Sequence, residues 1–122
     1  MSKNAIILFS HGARDPRWKE PIINVQKLIL AQNPDLTVEL AFLELMTPSL
    51  EELIADFSSK NITEVTLVPI FFGQGGHIRE DLPKLIESCR QKYPLLDLTV
   101  KPAVGENIGV LQAIAKYCTD QQ

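Results

Sequence analysis

The strongest constraint on the fold is an alternation of short apolar runs with segments that carry apolar residues at helical spacing. Ala5 to Phe9 and Val65 to Phe72 are nearly unbroken apolar runs, which suit strands covered on both faces. Val38 to Leu43 and Leu98 to Val100 alternate more nearly between apolar and polar residues, as edge strands tend to do. The pattern predicts two central and two outer strands.

Between and after these runs, four segments place apolar residues three or four positions apart, the spacing of one helix face. A capping oxygen before proline predicts helix starts at Asp15-Pro16 and Thr47-Pro48, and Asn33-Pro34 and Tyr93-Pro94 predict helix ends. The order predicts an α/β fold, an open, mostly parallel four-stranded sheet with helices on both faces. The apolar helix faces comprise Ile22, Val25, Leu28 and Ile29; Leu50, Leu53, Ile54 and Phe57; Leu82, Leu85, Ile86 and Cys89; and Leu111, Ile114, Ala115 and Cys118.

Length and composition fit one globular domain that spans residues 1–122, since 45% of the residues are hydrophobic. The formal net charge of −3 argues against a protein that grips nucleic acid by its overall charge. Cys89 and Cys118 match no metal or redox spacing, so both are expected as reduced core residues. The apolar run near the N-terminus is too short for a signal peptide or a membrane span, which predicts a cytoplasmic protein without a membrane partner.

The residues suited to chemistry follow the strands of the predicted sheet. In open α/β sheets, ligands bind beyond the carboxyl ends of the strands, where the strand order reverses. Both histidines, His11 and His77, follow the two most apolar strands, and Glu44 follows the second strand. Two imidazoles and a carboxylate suit a divalent metal such as Co²⁺, Fe²⁺, Ni²⁺ or Zn²⁺. Three ligands leave coordination positions open, as in catalysis or metal transfer.

The same loops carry groups that suit an anionic ligand. Arg14 and Arg79 offer bidentate contacts to carboxylates, and Gly75 and Gly76 allow backbone N–H groups to approach an anion at a helix start. Acidic residues are interleaved with the arginines, so a self-neutralising surface and an ordinary turn remain the alternatives. No phosphate-binding glycine loop of the nucleotide-binding type occurs. Histidine phosphatases have an arginine where this chain has Ser10, and this difference argues against phosphoryl transfer to His11.

Three blocks of the sequence resemble the class II tetrapyrrole chelatases. Residues 7–16 (ILFSHGARDP) are similar to the opening signature of that family, and residues 42–49 are similar to its second-strand block. Residues 68–83, which include His77, resemble its second histidine block. The resemblance covers nearly the whole chain. A single copy of each block points to the small, single-domain sirohydrochlorin chelatases of cobalamin and sirohaem biosynthesis.

The resemblance implies a homodimer that inserts Co²⁺, or else Fe²⁺ or Ni²⁺, into sirohydrochlorin, with the metal as a substrate and no permanently bound cofactor. The implied catalytic residues are His11 and His77, and the implied metal ligands are His11, His77 and Glu44. Candidate residues for the rim of the tetrapyrrole are Arg14, Gly75, Gly76 and Arg79. A non-catalytic cobalt or nickel carrier and a histidine-dependent phosphoester enzyme remain the alternative functions. One absorbance assay with sirohydrochlorin and Co²⁺ separates these three.

Overall fold

The computed structural model describes residues 3–73 and 75–120, without the side chains of residues 76–78. Four strands and four α-helices alternate along the chain, as the sequence predicts. Short 3-10 helices precede α1 and α4, at Pro16–Lys19 and Val104–Glu106. The strands and helices are β1 (Asn4–Ser10), α1 (Glu20–Gln32), β2 (Thr37–Phe42), α2 (Leu50–Ser59), β3 (Glu64–Pro69), α3 (Gly76–Lys92), β4 (Asp97–Val100) and α4 (Ile108–Thr119).

The four strands form one parallel sheet in the order β2-β1-β3-β4. The predicted α/β class is therefore confirmed, and the two most apolar strands, β1 and β3, are the central neighbours. Phe9 of β1 is in register with Ala41 on one side and with Pro69 on the other. Because the chain leaves β1 and β3 in opposite directions, the strand order reverses between them, which opens a crevice at their carboxyl ends.

Helices cover the two faces of the sheet unequally. The larger core packs α2 and α3 against one face and buries Phe9, Ile54 and Ile86. The ring of Phe9 meets that of Phe71 edge to face, with the ring centroids 6.0 Å apart. On the other face, Ile22 of α1 packs with Leu8 and Val38, residues of β1 and β2. The sheet thus has helices on both faces, but α1 packs chiefly over β1 and β2.

β3 is shorter than its apolar run predicts. The strand ends at Pro69 rather than continuing to Phe72. The Ile70 amide still donates to the Phe9 carbonyl at 2.7 Å, and the chain then leaves the sheet. Phe71 turns into the core, whereas Phe72 is 70% exposed. Phe71 and Phe72 continue the apolar run but lie outside the strand.

One of the two predicted helix starts is correct in position. Asp15 caps a 3-10 turn, because its side chain accepts a hydrogen bond from the Arg17 amide, and α1 follows that turn. The predicted start at Thr47-Pro48 is wrong. Ser49 caps α2 through a capping box with Glu52, in which each side chain accepts from the other residue's backbone amide. This pair satisfies two amides at once, so the helix begins after Ser49.

The predicted burial of the first and last helices is only partly correct. Val25 and Leu28 of α1 are exposed, and α4 buries none of its residues. Cys89 is buried as expected, but Cys118 on α4 is exposed, so its assignment to the core is wrong. The physical reason is that α4 contacts mainly the 3-10 helix before it and lies off the body of the fold. In the described residues, no helix combines the length and apolarity needed to cross a membrane.

Candidate functional site

The chain continues to pair beyond the ends of β1 and β2, and this places the first site residues side by side. The Leu43 amide donates to the Ser10 carbonyl at 2.9 Å, and the Glu44 amide donates to the His11 carbonyl at 3.1 Å. The two loops therefore leave the sheet together. His11 and Glu44 lie on neighbouring segments at the edge of the sheet where the strand order reverses.

Gly12 allows these two loops to approach closely. Its φ of 100° lies in the left-handed region that favours glycine. A Cβ atom built on Gly12 would lie 1.9 Å from the carbonyl oxygen of Glu44, far inside any allowed contact. Both the backbone angle and the missing side chain are therefore required for the loop after β1 to lie against Glu44.

The side chains of His11 and Glu44 meet at the surface. The Nε2 atom of His11 and the Oε1 atom of Glu44 are 3.1 Å apart. The imidazole is 44% exposed and the carboxylate 55%, so both can be reached by a ligand. Two donors that each lie about 2.1 Å from one metal ion, at right angles, are about 3 Å apart. The observed spacing suits either one shared proton or one shared cation.

A buried hydroxyl directly precedes the imidazole. Ser10 is fully buried, and its Oγ has no hydrogen-bond partner among the described residues. Buried polar groups usually find such a partner, so this hydroxyl is an exception at the edge of the site. From the sequence, Ser10 is notable only because it replaces the arginine of the histidine phosphatases. Its burial depends on the packing around β1, which no local pattern reports.

The second histidine occupies the position in the fold that the sequence predicts. Residue 77 lies in the first turn of α3, shortly after β3 leaves the sheet. The side chain of His77 lies outside the described residues, so a meeting of the two imidazoles stays a prediction. Within the described part of the chain, no group of three or more histidine, cysteine, aspartate or glutamate side chains could hold a metal ion. Of the three predicted metal ligands, the structure describes the side chains of His11 and Glu44.

Arg14 and Arg79 are exposed, on the loop after β1 and in the first turns of α3. Asp15, the acidic residue on the loop after β1, pairs with Arg17 and not with Arg14. The guanidinium of Arg17 lies 2.7 Å from a carboxylate oxygen of Asp15. Hydrogen bonds from Arg17 lower the pKa of Asp15. In the described residues, neither Arg14 nor Arg79 forms an ion pair. Both remain candidates for an anionic ligand.

The predicted glycine residues lie at the start of α3. Gly75 is the N-cap of the helix, and Gly76 is its first residue. A Cβ atom on Gly75 would meet nothing within 4 Å, so the space beside this backbone is open. Helix N-termini present backbone N–H groups that suit anions. The position agrees with the predicted contact, and binding at these amides stays a prediction.

Two exposed apolar side chains also leave the carboxyl ends of the strands. Leu45 follows Glu44 with a positive φ of 68°, and 58% of its surface is exposed. Phe72 is exposed on the segment after β3. Neither residue is predicted as a site residue from the sequence, because an apolar residue directly after a strand is read as part of that strand. They give this edge of the sheet an apolar component beside its polar groups.

The order of the four parallel strands places the chain among the doubly wound α/β proteins, which bind ligands beyond the carboxyl ends of their strands. The family comparison makes this class specific. The chain belongs to the CbiX family, whose model matches residues 5–121. The predicted kinship with small class II chelatases is thereby confirmed.

Individual relatives agree with this assignment. The chain is 33% identical to a protein named sirohydrochlorin cobaltochelatase from Methanococcoides burtonii over 85 residues, which are 70% of this chain and 65% of that protein. A crystal structure of a putative cobalamin biosynthesis CbiX protein from Marinobacter aquaeolei has a TM-score of 0.77 and 27% identity, covering 94% of this chain and 93% of that one. The cobalt complex of the sirohydrochlorin chelatase SirB from Bacillus subtilis has a TM-score of 0.78 and 22% identity. The match covers 98% of this chain but 51% of SirB, and it shows likeness of fold.

Proposed function

We propose that this protein inserts a divalent metal ion, most readily Co²⁺ and otherwise Fe²⁺ or Ni²⁺, into sirohydrochlorin. The observation that carries the proposal is the solvent-facing pair of His11 and Glu44, whose Nε2 and Oε1 atoms are 3.1 Å apart beyond the carboxyl ends of β1 and β2. Membership of the CbiX family and the names of the relatives support the same substrate. His and carboxylate donors accept each of these metals.

Metal insertion is an exchange of charges at the centre of the macrocycle. The metal loses water ligands, two pyrrole N–H bonds break, and the dication takes the place of the two released protons. A neutral imidazole suits either task, since it can bind a first-row metal or accept a proton near neutral pH. We assign these tasks to His11 and His77, with Glu44 as the third metal ligand.

The contact with Glu44 gives His11 two alternative states. With a proton on Nε2, the imidazole donates to the carboxylate, and its Nδ1 atom is free to accept a pyrrole proton. The carboxylate then stabilises the imidazolium that forms. With that proton absent, Nε2 and Oε1 can bind the same cation at the observed spacing. Exchange between these states links the release of a metal to the uptake of a proton.

The rim of the site suits a flat macrocycle that carries many carboxylates. Arg14 and Arg79 would bind carboxylate groups, and the amides at Gly75 and Gly76 would bind another at the start of α3. Leu45 and Phe72 offer apolar surface to the ring itself. Charged side chains would thus bind the carboxylates at the edge of the substrate, and apolar side chains would contact its ring.

The proposal includes a homodimer in the cytoplasm, with the metal as a substrate rather than a resident cofactor. Both cysteines are free thiols, Cys89 buried and Cys118 exposed, as expected in a reducing compartment. Three protein ligands, His11, His77 and Glu44, would leave coordination positions of the metal open for a macrocycle. A dimer would have about the length of SirB, since one chain spans 51% of that protein.

The test is an absorbance assay with sirohydrochlorin and Co²⁺, Fe²⁺ or Ni²⁺. Insertion should shift the absorbance of the tetrapyrrole, and His11→Ala and His77→Ala should each abolish the shift with the fold retained by circular dichroism. Lys27→Ala, an exposed change on α1, should keep the wild-type rate. Metal binding without insertion would indicate a carrier, and hydrolysis of a phosphoester through a phosphohistidine would indicate the third function. Wild-type rates in either histidine variant would remove that residue from the mechanism.

A further inference from the structure

Two exposed apolar side chains flank the segment that carries His11. Leu45 follows β2 and Phe72 follows β3, the strands on either side of β1. On one side, the Glu44 amide donates to the His11 carbonyl at 3.1 Å, and Leu45 is the next residue. On the other side, Phe72 lies two residues past the amide that donates to the Phe9 carbonyl at 2.7 Å. The imidazole therefore leaves the sheet with an apolar residue on each side.

Single exposed apolar residues are common and by themselves indicate nothing. At Phe72, however, the backbone on either side of the residue is fixed. Phe71 directly before it packs edge to face on Phe9 in the core. The carbonyl of Phe71 accepts a hydrogen bond from the Gly105 amide at 2.9 Å. The residue before Phe72 is thus held by both its side chain and its carbonyl group.

Gly105, on the 3-10 helix before α4, packs directly against the backbone of Phe72. A Cβ atom built on Gly105 would lie 2.0 Å from the Phe72 carbonyl oxygen and 2.3 Å from its Cα atom. Gly105 lacks the positive φ of Gly12, so this contact requires the missing side chain and not an unusual backbone angle. With its backbone held in this way, Phe72 keeps its side chain outside the core, 70% exposed.

Leu45 is held outside the core in a different way. Its φ of 68° lies in the left-handed region, which costs free energy for a residue with a Cβ atom. A side chain that is 58% exposed recovers little of this cost through burial. Residues with such backbone angles persist where the surrounding structure imposes them, and they cluster at ligand sites. At Leu45, the surrounding structure is the pairing of the preceding residue, Glu44, with the loop after β1.

We propose that Gly105 and the left-handed backbone of Leu45 preform the apolar part of the site, with Gly105 as a positioning residue that acts through Phe72. The inference rests on the proposed function, because it assigns Leu45 and Phe72 to contacts with the sirohydrochlorin ring. A flat ring over His11 would meet an apolar residue on each side. Contacts that are in place before binding lose little conformational entropy, so the affinity for the ring depends on these two backbone constraints.

The first test is a double-mutant cycle between Gly105 and Phe72, measured as the Kd for metal-free sirohydrochlorin by fluorescence titration. Phe72→Ala should weaken binding about tenfold, through loss of apolar contact with the ring. Gly105→Ala should also weaken binding about tenfold, because the added methyl group displaces Phe72. The double variant should bind about tenfold and not about a hundredfold more weakly, since both changes remove the same contact. A hundredfold loss, or wild-type affinity in Phe72→Ala, would overturn the inference.

Three controls accompany this cycle. Phe72→Tyr keeps the aromatic ring and should bind sirohydrochlorin like the wild-type protein. Ile62→Ala truncates a buried side chain just before β3, at the opposite end of the strand, and should lower stability without weakening binding. Phe72→Ala should leave the affinity for Co²⁺ and the mass by light scattering unchanged. An altered mass would assign Phe72 to a contact between copies of the chain and would contradict the proposal.

The second test separates binding from stability at Leu45. Asparagine adopts the left-handed region more readily than leucine does. Leu45→Asn should therefore raise the unfolding temperature and yet weaken sirohydrochlorin binding about fivefold. Leu28→Asn makes the same change at an exposed position of α1, and should keep the wild-type affinity without a gain in stability. A lower unfolding temperature or wild-type affinity in Leu45→Asn would count against the proposal. Leu45 and Phe72 are exposed, so their variants remain informative even where Gly105→Ala does not fold.

The measurements distinguish this inference from the proposed reaction. Binding that depends on Leu45 and Phe72, without metal insertion, would refute the reaction and leave the inference standing. Metal insertion with an affinity independent of both residues would refute the inference and leave the reaction standing. Absence of sirohydrochlorin binding in the wild-type protein would refute both.

Discussion

The carbonyl oxygen of Glu44 occupies the space that a side chain on Gly12 would fill, at 1.9 Å from the ideal Cβ position. This contact holds the loop after β1 against the loop after β2. His11 and Glu44 are neighbours of the contact, one on each loop. The geometry of the candidate site therefore depends on the absence of a side chain at residue 12.

We expect Gly12→Ala to disturb the site and to destabilise the fold. The backbone angle at residue 12 costs a residue with a Cβ atom about 1–2 kcal/mol, and the contact with Glu44 forces the two loops apart. The measurements are thermal unfolding and the rate of metal insertion. Gly73→Ala is the matched control for stability, because nothing lies within 4 Å of its Cβ position. Equal unfolding temperatures of the two variants would contradict this account.

Glu44→Gln tests the charge of the proposed metal site while nearly preserving its shape. The amide keeps an oxygen near Nε2 of His11 but lacks the negative charge that attracts a dication. We expect Co²⁺ to bind about 10- to 100-fold more weakly, as for other changes around metal ligands. Titration against a coloured metal chelator measures the affinity. Glu39→Gln on the exposed surface of β2 makes the same chemical change away from the site and should bind Co²⁺ like the wild-type protein.

Acid should weaken metal binding in the wild-type protein, because protons and the metal compete for the same imidazole nitrogen. The His11–Glu44 contact places that nitrogen beside a carboxylate that would also hold the proton. Binding measured between pH 8 and pH 5 should therefore weaken as the pH falls. Affinity that is unchanged over this interval would exclude His11 as a metal ligand.

Arg14→Ala should weaken substrate binding more than it slows the chemical step. The guanidinium is exposed and has no acidic partner among the described residues, so it is available to a substrate carboxylate. We expect KM for sirohydrochlorin to rise about fivefold, the effect of about 1 kcal/mol, with kcat nearly unchanged. Arg17→Ala removes an arginine already bound to Asp15 and should leave KM unchanged. Similar kinetics for both variants would show that Arg14 does not bind the substrate.

Ser49→Ala should lower the free energy of unfolding by about 1 kcal/mol, since it removes the side-chain cap of α2. Hydrogen bonds from Ser49 lower the pKa of Glu52 below its ordinary value of 4.5. The ionised Glu52 carboxylate therefore stabilises the folded protein above the pKa that it has in the unfolded chain. This contribution to the free energy of unfolding is lost as the pH falls through the lower pKa of the folded protein. Chemical denaturation at pH 7 and at pH 3 measures both effects. Ser58→Ala, in the last turn of α2, lacks a capping role and should change stability less.

Local patterns predicted the elements of this fold well and their ends less well. The central position of β1 and β3 follows from their unbroken apolar runs, because only strands covered on both faces need such runs. The end of β3 at Pro69 did not follow, since Phe71 is apolar for its place in the core. The start of α2 was misplaced for a related reason. A proline signal at Pro48 competed with the stronger capping box at Ser49.

The candidate site shows the same division. The placement of His11, Glu44 and residue 77 at one side of the sheet follows from the alternation of strands and helices, because the carboxyl ends of parallel strands all lie on that side. The 3.1 Å contact between His11 and Glu44 and the burial of Ser10 depend on how two loops pack. Neither leaves a periodic signal in the chain.

The amino-acid sequence by itself determined the parallel α/β architecture, the side of the sheet that carries the candidate site and the residue types available there, because the apolar period and the alternation of strands with helices are local properties. Tertiary structure decided which of those residues touch and which helix faces remain uncovered. The apolar stripe of α4 looks like that of any core helix, and only the exposure of its side chains shows that the helix lies off the body of the fold. Periodicity reports that a face must be buried, but the surface that buries it is set by packing between distant segments.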